Sequence, residues 1–570
     1  MDMPMQRVTL FDTTLRDGAQ TSGVDFSPGD KLRLAALLDD FGLHYIEGGW
    51  PGANDTDNIF FTEVPAFKKA KLTAFGMTRR VGKSASNDEG LSMVLDTSAP
   101  VVCLVGKTWG PHITTALNTT VEENLRAIRE SVARAKSMKS EVVYDLEHFF
   151  DAYKHDPDYA LACMRAAKGA GADWLVMCDT NGGTFPHEVR DIVGAVMNAG
   201  FSGGELGIHT HDDMSCAVAN TLEAVRLGVE MVQGTLNGLG ERCGNANLIT
   251  LIPMFAKMGI DCGISPEKMR DLTALSRALD DILDRSSDDS APYVGARAFT
   301  HKGGLHGSAV AKAPSLYEHT RPESVGNRRI LPMSDQGGLA NLMARLEDYG
   351  MAVRRDDPRL GSVVERIKML EAEGYAYDRA DASFELLLRH MLGGYEHYFY
   401  ALNVNTNTKM QPIVNEARRE FGRASMGSVP EASVKLIVGN ERLMHAAEGV
   451  GPVDAIDAAM RKALIPYYPV LANMTLSDFK VRIIKPREGT AATTVVRIES
   501  TGPVAGKTCT WSTIGVSHNV IDAALEALID SHLWYLHKTG TPAIVPNPAL
   551  CKDEGVSSKR SPFATGTQPR

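Results

Sequence analysis

The chain has no long apolar run. Nothing in it approaches the ~18 residues that a membrane-spanning helix needs, so no membrane partner is expected. It also has no excess of positive charge: Lys and Arg number 60 against 70 Asp and Glu, a net charge of −10. A mildly acidic chain without a basic stretch is a poor ligand for phosphate backbones, which excludes nucleic acid as a partner. The opening MDMPMQRVTL has no basic segment followed by an apolar one, so a cytoplasmic location is the expectation. Paired cysteines are missing as well. The eight cysteines are scattered, at 103, 163, 178, 216, 243, 262, 509 and 551, and none forms a C-x-x-C pair. That speaks against a disulfide framework and a thiolate zinc site, and leaves any metal to oxygen and nitrogen ligands.

Glycine, by contrast, is plentiful, with 52 in 570 residues against an average usage of ~7%. The length suggests roughly three to four domains. Over the first 250 residues, short apolar runs alternate with amphipathic segments. The runs lie at 8–11, 44–47, 72–75, 101–105, 141–146, 174–178, 205–209 and 231–236. The helical patterns between and after them lie at 30–41, 58–69, 89–96, 121–137, 158–169, 186–198, 217–227 and 248–258. Continuous apolar runs are what buried parallel strands look like. Eight βα units in a row predict a closed (β/α)8 TIM barrel over residues 1–285, with an open doubly wound sheet as the alternative.

A mainly helical connector is expected over 286–428, with helices at 338–348, 361–373 and 382–392. A C-terminal α+β regulatory domain is expected over 429–540. It carries an internal repeat, in which Ile456-Asp457-Ala458-Ala459-Met460 matches Ile521-Asp522-Ala523-Ala524-Leu525 after strand-like runs at 433–438, 479–484 and 494–498. Residues 541–570, rich in Pro, Ser, Thr and Lys, are expected to be a flexible tail.

Barrel enzymes carry their chemistry at the C-terminal strand ends, and polar residues and glycines collect there. Asp12-Thr13-Thr14-Leu15-Arg16-Asp17-Gly18-Ala19-Gln20 follows the first run, Glu147 the fifth and Asp179-Thr180-Asn181-Gly182-Gly183 the sixth. The seventh ends in His209-Thr210-His211-Asp212-Asp213, and the eighth leads to Gly240-Glu241-Arg242-Cys243-Gly244-Asn245. Histidines at i and i+2 of an extended chain point to the same face. With Asp17 and Asn245 at matching barrel ends, they predict a thiolate-free site for a divalent cation with positions open to substrate oxygens. Mg²⁺ or Mn²⁺ is favoured, and Zn²⁺ and Co²⁺ also suit such donors. Arg16 would stabilise oxyanion charge at a polarised carbonyl, and Thr180 would offer a hydroxyl to a carboxylate. Glu147 reads equally well as a base or as an orienter of Arg16. From spacing alone, His306 reads as a packed histidine of a connector rather than as an acid or base.

Taken together, these motifs resemble the DRE-TIM metallolyase superfamily, and within it the acetyl-CoA-dependent synthases of 2-isopropylmalate, homocitrate and citramalate. The nearest branch is the long citramalate-synthase one. That likeness rests on Tyr45-Ile46-Glu47-Gly48-Gly49-Trp50-Pro51-Gly52-Ala53-Asn54, Phe75-Gly76-Met77-Thr78-Arg79-Arg80 and Tyr144-Asp145-Leu146-Glu147-His148-Phe149-Phe150. It rests also on Gln233-Gly234-Thr235-Leu236-Asn237-Gly238 and His301-Lys302-Gly303-Gly304-Leu305-His306. It covers about residues 5–540.

The resemblance implies an acyltransferase that condenses acetyl-CoA, as co-substrate, with pyruvate to give (R)-citramalate in isoleucine biosynthesis. The alternative acceptor is 2-oxoisovalerate, giving 2-isopropylmalate. It implies that Asp17, His209, His211 and Asn245 hold the metal, that Arg16, Glu147, His306 and Tyr317 are catalytic, and that Arg16, Gln20, Tyr144 and Thr180 bind substrate. His306 and Tyr317 would serve a partner subunit's barrel, which makes a homodimer the expected assembly. The terminal repeat would bind a pathway-end amino acid, isoleucine. The chain departs from the family in Asp212-Asp213, where Asn-Asp is usual, in Ser215-Cys216-Ala217 for Gly-Leu-Ala, and in Met77, where a smaller residue is common.

Overall fold

The computed structural model describes residues 6–334, 336–413, 425–484 and 492–552. They form two compact units: one runs to Phe299 and includes His319–Arg329, and the other comprises Thr300–Glu318 and the chain from Ile330 onward.

In the first unit, eight strands form a closed parallel barrel in sequence order: β1 (Thr9–Asp12), β2 (Tyr45–Gly49), β3 (Lys71–Met77), β4 (Val101–Lys107), β5 (Glu141–Glu147), β6 (Trp174–Asp179), β7 (Leu206–Thr210) and β8 (Met231–Gly234). Pairing of β8 with β1, Phe11 opposite Gln233, closes the ring and excludes the open-sheet alternative. Helices Pro186–Asn198 and Leu248–Met258 span the ranges their periodicity predicts. Others begin a few residues earlier, because the cap and a helix-starting Pro lie before the apolar pattern. Ser27 caps Pro28–Phe41 in a reciprocal box with Asp30, and Asp156 caps Pro157–Gly169.

Side-chain alternation divides the barrel. Phe11, Tyr45, Phe75, Val101, Cys103, Val143, Val176, Cys178 and Met231 fill the lumen. The residues between them pack outward under the helices, among them Leu10, Ile46, Val102, Tyr144, Leu175, Ile208 and Val232. The bottom of the barrel is thus a packed apolar plug. Polar residues one step further along the same inward rows stand above it, at the C-terminal mouth.

In the second unit, helices Leu339–Asp348, Arg359–Glu373 and Asp381–Leu392 pack Leu342, Leu346, Leu360, Val363, Ile367 and Leu388 into one core. The repeat takes the form of two three-stranded antiparallel sheets, each followed by a helix. β9 (Tyr400–Ile413), β10 (Ser425–Val438) and β11 (Glu441–Glu448) precede Pro452–Leu464. β12 (Thr475–Ile483), β13 (Thr494–Val504) and β14 (Lys507–Ser517) precede Val520–Lys538. β9 corrects the expected division: it falls in the stretch read as helical connector, yet it pairs with β10 along its length. Of the expected tail, 553–570 lies outside the described residues. Within 541–552 there is a helix, Ala549–Lys552, and the Ile544 carbonyl accepts from the Gly439 N–H at 3.3 Å.

Candidate active site

Each inward row of the barrel can be followed up to the mouth. Two residues above the plug come Glu47 on β2, Asp145 on β5, His209 on β7 and Gln233 on β8. One step further come Lys107, Glu147, Thr180 and His211. The turn after β1 brings Arg16 and Asp17 over this layer; the Asp17 N–H bonds the Thr13 carbonyl at 2.9 Å.

Asp17, His209 and His211 offer donor atoms that all lie within 4.8 Å of one another, and all three residues are buried. His209 Nε2 is 3.3 Å from His211 Nε2 and 3.3 Å from Asp17 Oδ2. Asn245 Nδ2 is 2.9 Å from Asp17 Oδ2 and 3.3 Å from His209 Nε2. Asn245 Oδ1 is buried without a hydrogen-bond partner among the described residues. Turning the amide over would exchange the two atoms and give the site a fourth ligand oxygen, since oxygen and nitrogen are told apart only by their partners. Ligands at ~2.1 Å from an octahedral ion stand about 3 Å apart, so the donor spacing fits a small divalent cation. Gly240 makes room for this amide: its φ is +154°, and a Cβ there would meet Asn245 Oδ1 at 2.1 Å.

The electrostatics agree. Burial, and then the neighbouring His209, push His211 down to about 4, leaving a neutral imidazole with a free lone pair. Burial alone would raise Asp17, but Arg16 and His209 outweigh it and hold the carboxyl well below its usual range. His209 Nδ1 lies 2.9 Å from Gln233 Oε1, and Gln233 Nε2 donates to Asp145 Oδ1 at 3.0 Å. That chain sets the ring so that Nε2 faces the site.

Arg16 donates from Nε to Glu47 Oε2 at 2.7 Å, and its guanidinium carbon lies 3.9 Å from the centre of the Phe75 ring. Glu47 is fully buried, with Oε1 unpartnered among the described residues. Thr180 Oγ1 accepts the His148 N–H at 2.8 Å, which leaves its own hydrogen available to a ligand. Glu147 pairs with Lys107, Nζ to Oε1 at 2.7 Å. Gln20 ends the short 3-10 turn Gly18–Gln20 and is exposed.

Tyr144 is a correction. Asp145 points inward to Gln233, so its neighbour must point outward. Tyr144 is fully buried beneath the helical layer, in the core that also holds Cys163 and Met164. A Cβ on Gly106 would lie 1.9 Å from its hydroxyl oxygen. It serves the wall, not the substrate. The sequence reading also passed over Asp145, Gln233 and Lys107 as site residues. Their signal was an inward parity, two or four residues beyond Val143, Met231 and Cys103.

His306 and Tyr317 belong to the second unit. Their rings pack with centroids 4.4 Å apart. Both are exposed, and Leu305 and Leu316 beside them are 76% and 65% exposed. Cys103, Cys163, Cys178, Cys216, Cys243, Cys262 and Cys509 are all free thiols. Among the described residues, no helix is long and apolar enough to cross a membrane.

Residues 7–275 match the HMGL-like family, 293–374 the homocitrate synthase post-HMGL domain-like family and 379–535 the LeuA allosteric (dimerisation) domain. An (R)-citramalate synthase of Aquifex aeolicus is 46% identical over 538 residues, covering 94% of this chain and 98% of its own. One of Synechocystis is 43% identical over 531 residues, covering 91% of this chain and 94% of its own. A probable 2-isopropylmalate synthase of Methanopyrus kandleri is 30% identical over 496 residues, covering 86% of this chain and 92% of its own.

Proposed function

The chain belongs to the family of the (R)-citramalate synthases, and on that premise we propose that its barrel mouth condenses acetyl-CoA with pyruvate, releasing (R)-citramalate and CoA. The observation that carries this reading is the convergence of Asp17, His209, His211 and Asn245 on one point beside Arg16.

Asp17, His209, His211 and Asn245 would hold a divalent cation there, Mg²⁺ or Mn²⁺ by the oxygen and imidazole character of the donors, and bound there it would supply Lewis-acid polarisation of the carbonyl of a 2-oxo acid. Arg16 is fixed by Glu47 and Phe75 and stabilises the charge that develops on the keto oxygen. The Thr180 hydroxyl donates to the acceptor's carboxylate. A base takes a proton from the acetyl methyl group, and the enolate carbon forms a bond to the keto carbon. The alkoxide takes up a proton, and water then cleaves the thioester to a carboxylate and the CoA thiol. Glu147 and His306 are the two candidates for the base. The exposed His306–Tyr317 pair, flanked by exposed leucines, supports a surface that a second copy covers, with each pair serving the partner's barrel in a homodimer. The LeuA-type domain would bind isoleucine as the end product of the route the enzyme feeds, in the cytoplasm.

The test is thiol release by the purified protein with Mg²⁺ or Mn²⁺ and acetyl-CoA. Release should require a 2-oxo acid, with kcat/KM highest for pyruvate. No release with pyruvate, 2-oxobutanoate, 2-oxoisovalerate or 2-oxoglutarate would defeat the reading. A preference for 2-oxoisovalerate would make the enzyme a 2-isopropylmalate synthase.

A further inference from the structure

The polar residues of the mouth include a cation that the scheme above does not use. Lys107 is the last residue of β4, and the register places it directly opposite Glu147, the last residue of β5. It continues the inward row of Cys103 and Val105, as Glu147 continues that of Val143 and Asp145. Lys107 Nζ lies 2.7 Å from Glu147 Oε1 and 2.6 Å from Oε2, so one ammonium engages both carboxylate oxygens. Each side chain is only 21% exposed. An ordinary surface pair holds nothing in place because its partners are free to move, whereas this one is restrained from both sides. Behind Lys107, buried Asn124 of the helix Val121–Met138 donates to the Lys107 carbonyl at 2.8 Å and to Tyr159 Oη at 2.9 Å.

Beyond Glu147 the chain turns through His148 in the left-handed region, φ +56° and ψ +36°. A residue with a side chain takes this conformation only when its surroundings fix it. Here they do. The His148 N–H is tied to Thr180 Oγ1, and its Nδ1 lies 3.1 Å from Asp151 Oδ2, which also accepts from Asn181. The His148 ring also packs on His112 and Trp109, at 4.5 and 5.7 Å. Glu147 is therefore pinned between a lysine on β4 and a strained turn tied to the loop after β6, one step above the Asp145–Gln233–His209 chain.

We propose that Lys107 is a positioning residue for the condensation: it fixes the Glu147 carboxylate at the rim, in the orientation the reaction needs, and acts only through it. This rests on the function proposed above, whichever of the two roles Glu147 plays there.

The test is a double-mutant cycle in the full-length protein, reading thiol release with pyruvate. Lys107→Met should lower kcat about tenfold or more while leaving the KM for acetyl-CoA within about threefold. Lys107→Arg, which keeps a cation able to grip both oxygens, should recover part of the loss. In a Glu147→Gln background, Lys107→Met should change kcat by less than about twofold, because there is no carboxylate left to hold. A Lys107→Met enzyme with undiminished kcat, or an equal loss in both backgrounds, would overturn the proposal. Should that variant not fold, Lys107→Gln takes its place in the cycle. A failure of both to fold would make Lys107 structural and overturn it too. An active wild type with Lys107→Met undiminished defeats this inference alone. A wild type that releases no thiol with any 2-oxo acid defeats the proposed function.

Discussion

The Nε of Arg16 lies 2.7 Å from Oε2 of Glu47, a carboxylate with no solvent exposure at the foot of the barrel mouth. The contact faces the planar guanidinium toward the site while Phe75 supports it from below. An ammonium would supply the charge without the rigid fork. Arg16→Lys should therefore lose about 10²–10³ in kcat, the usual cost of removing an oxyanion donor. Steady-state thiol release measures this. A lysine variant within about threefold of wild type would contradict the role given to Arg16.

Gln233 touches no ligand in this account, yet it joins His209 Nδ1 to Asp145. Gln233→Leu should weaken Mn²⁺ binding about 10–100-fold, the typical effect of losing an outer partner of a metal histidine. Titration calorimetry with Mn²⁺ reads this without turnover. Unchanged affinity would mean that His209 is oriented by something else.

The turn that follows Glu47 is held by a buried ion pair. Lys31 pairs with Asp57 and donates to the Gly48 carbonyl at 3.0 Å; Asp57 also accepts the Trp50 N–H at 2.8 Å. Their side chains are 4% and 7% exposed. Lys31→Met strands the carboxylate and should destabilise the protein by about 3–5 kcal/mol. Removing both charges with Lys31→Met and Asp57→Leu should cost less than the two single losses added together. Denaturant unfolding measures each.

Asp12 gives a pH dependence of stability. Burial pushes its carboxyl up to about 7, against two hydrogen bonds from Thr14. The folded state therefore holds a proton that the unfolded state has already released. The stabilisation is complete below the unfolded carboxylate range and is lost as pH rises through about 7. Asp12→Asn should flatten that slope, so the stability difference between wild type and variant changes by up to about 1.4 kcal/mol per pH unit over this window. A difference independent of pH between about 4 and about 7 would contradict it.

The barrel was legible because strands buried on both faces leave continuous apolar runs, and because polar residues gather at one end of them. The convergence of His209 and His211 was legible from period alone, since residues i and i+2 of a strand share a face. What could not be read was which residues support the site. Gln233 and Asp145 are polar residues within apolar runs, and only closure of the ring brings β5 and β8 into reach of one another across the lumen. Tyr144 was misplaced because a motif names neighbours without their facing, and parity sends it to the opposite side from Asp145. β9 escaped because its first half, Tyr400-Ala401-Leu402-Asn403-Val404-Asn405-Thr406-Asn407, is rich in asparagine, a poor strand former. Pairing with β10 overrides that local preference.

The most direct test of the account is thiol release by protein stripped of divalent metal and then reloaded, with acetyl-CoA present throughout. The prediction is no release without metal, none with metal alone, and release of CoA with formation of (R)-citramalate when both metal and pyruvate are supplied. His209→Ala should abolish that release. Thiol release that persists without metal or without a 2-oxo acid, or that survives His209→Ala undiminished, would contradict the assignment of this barrel mouth as a metal-dependent condensing site.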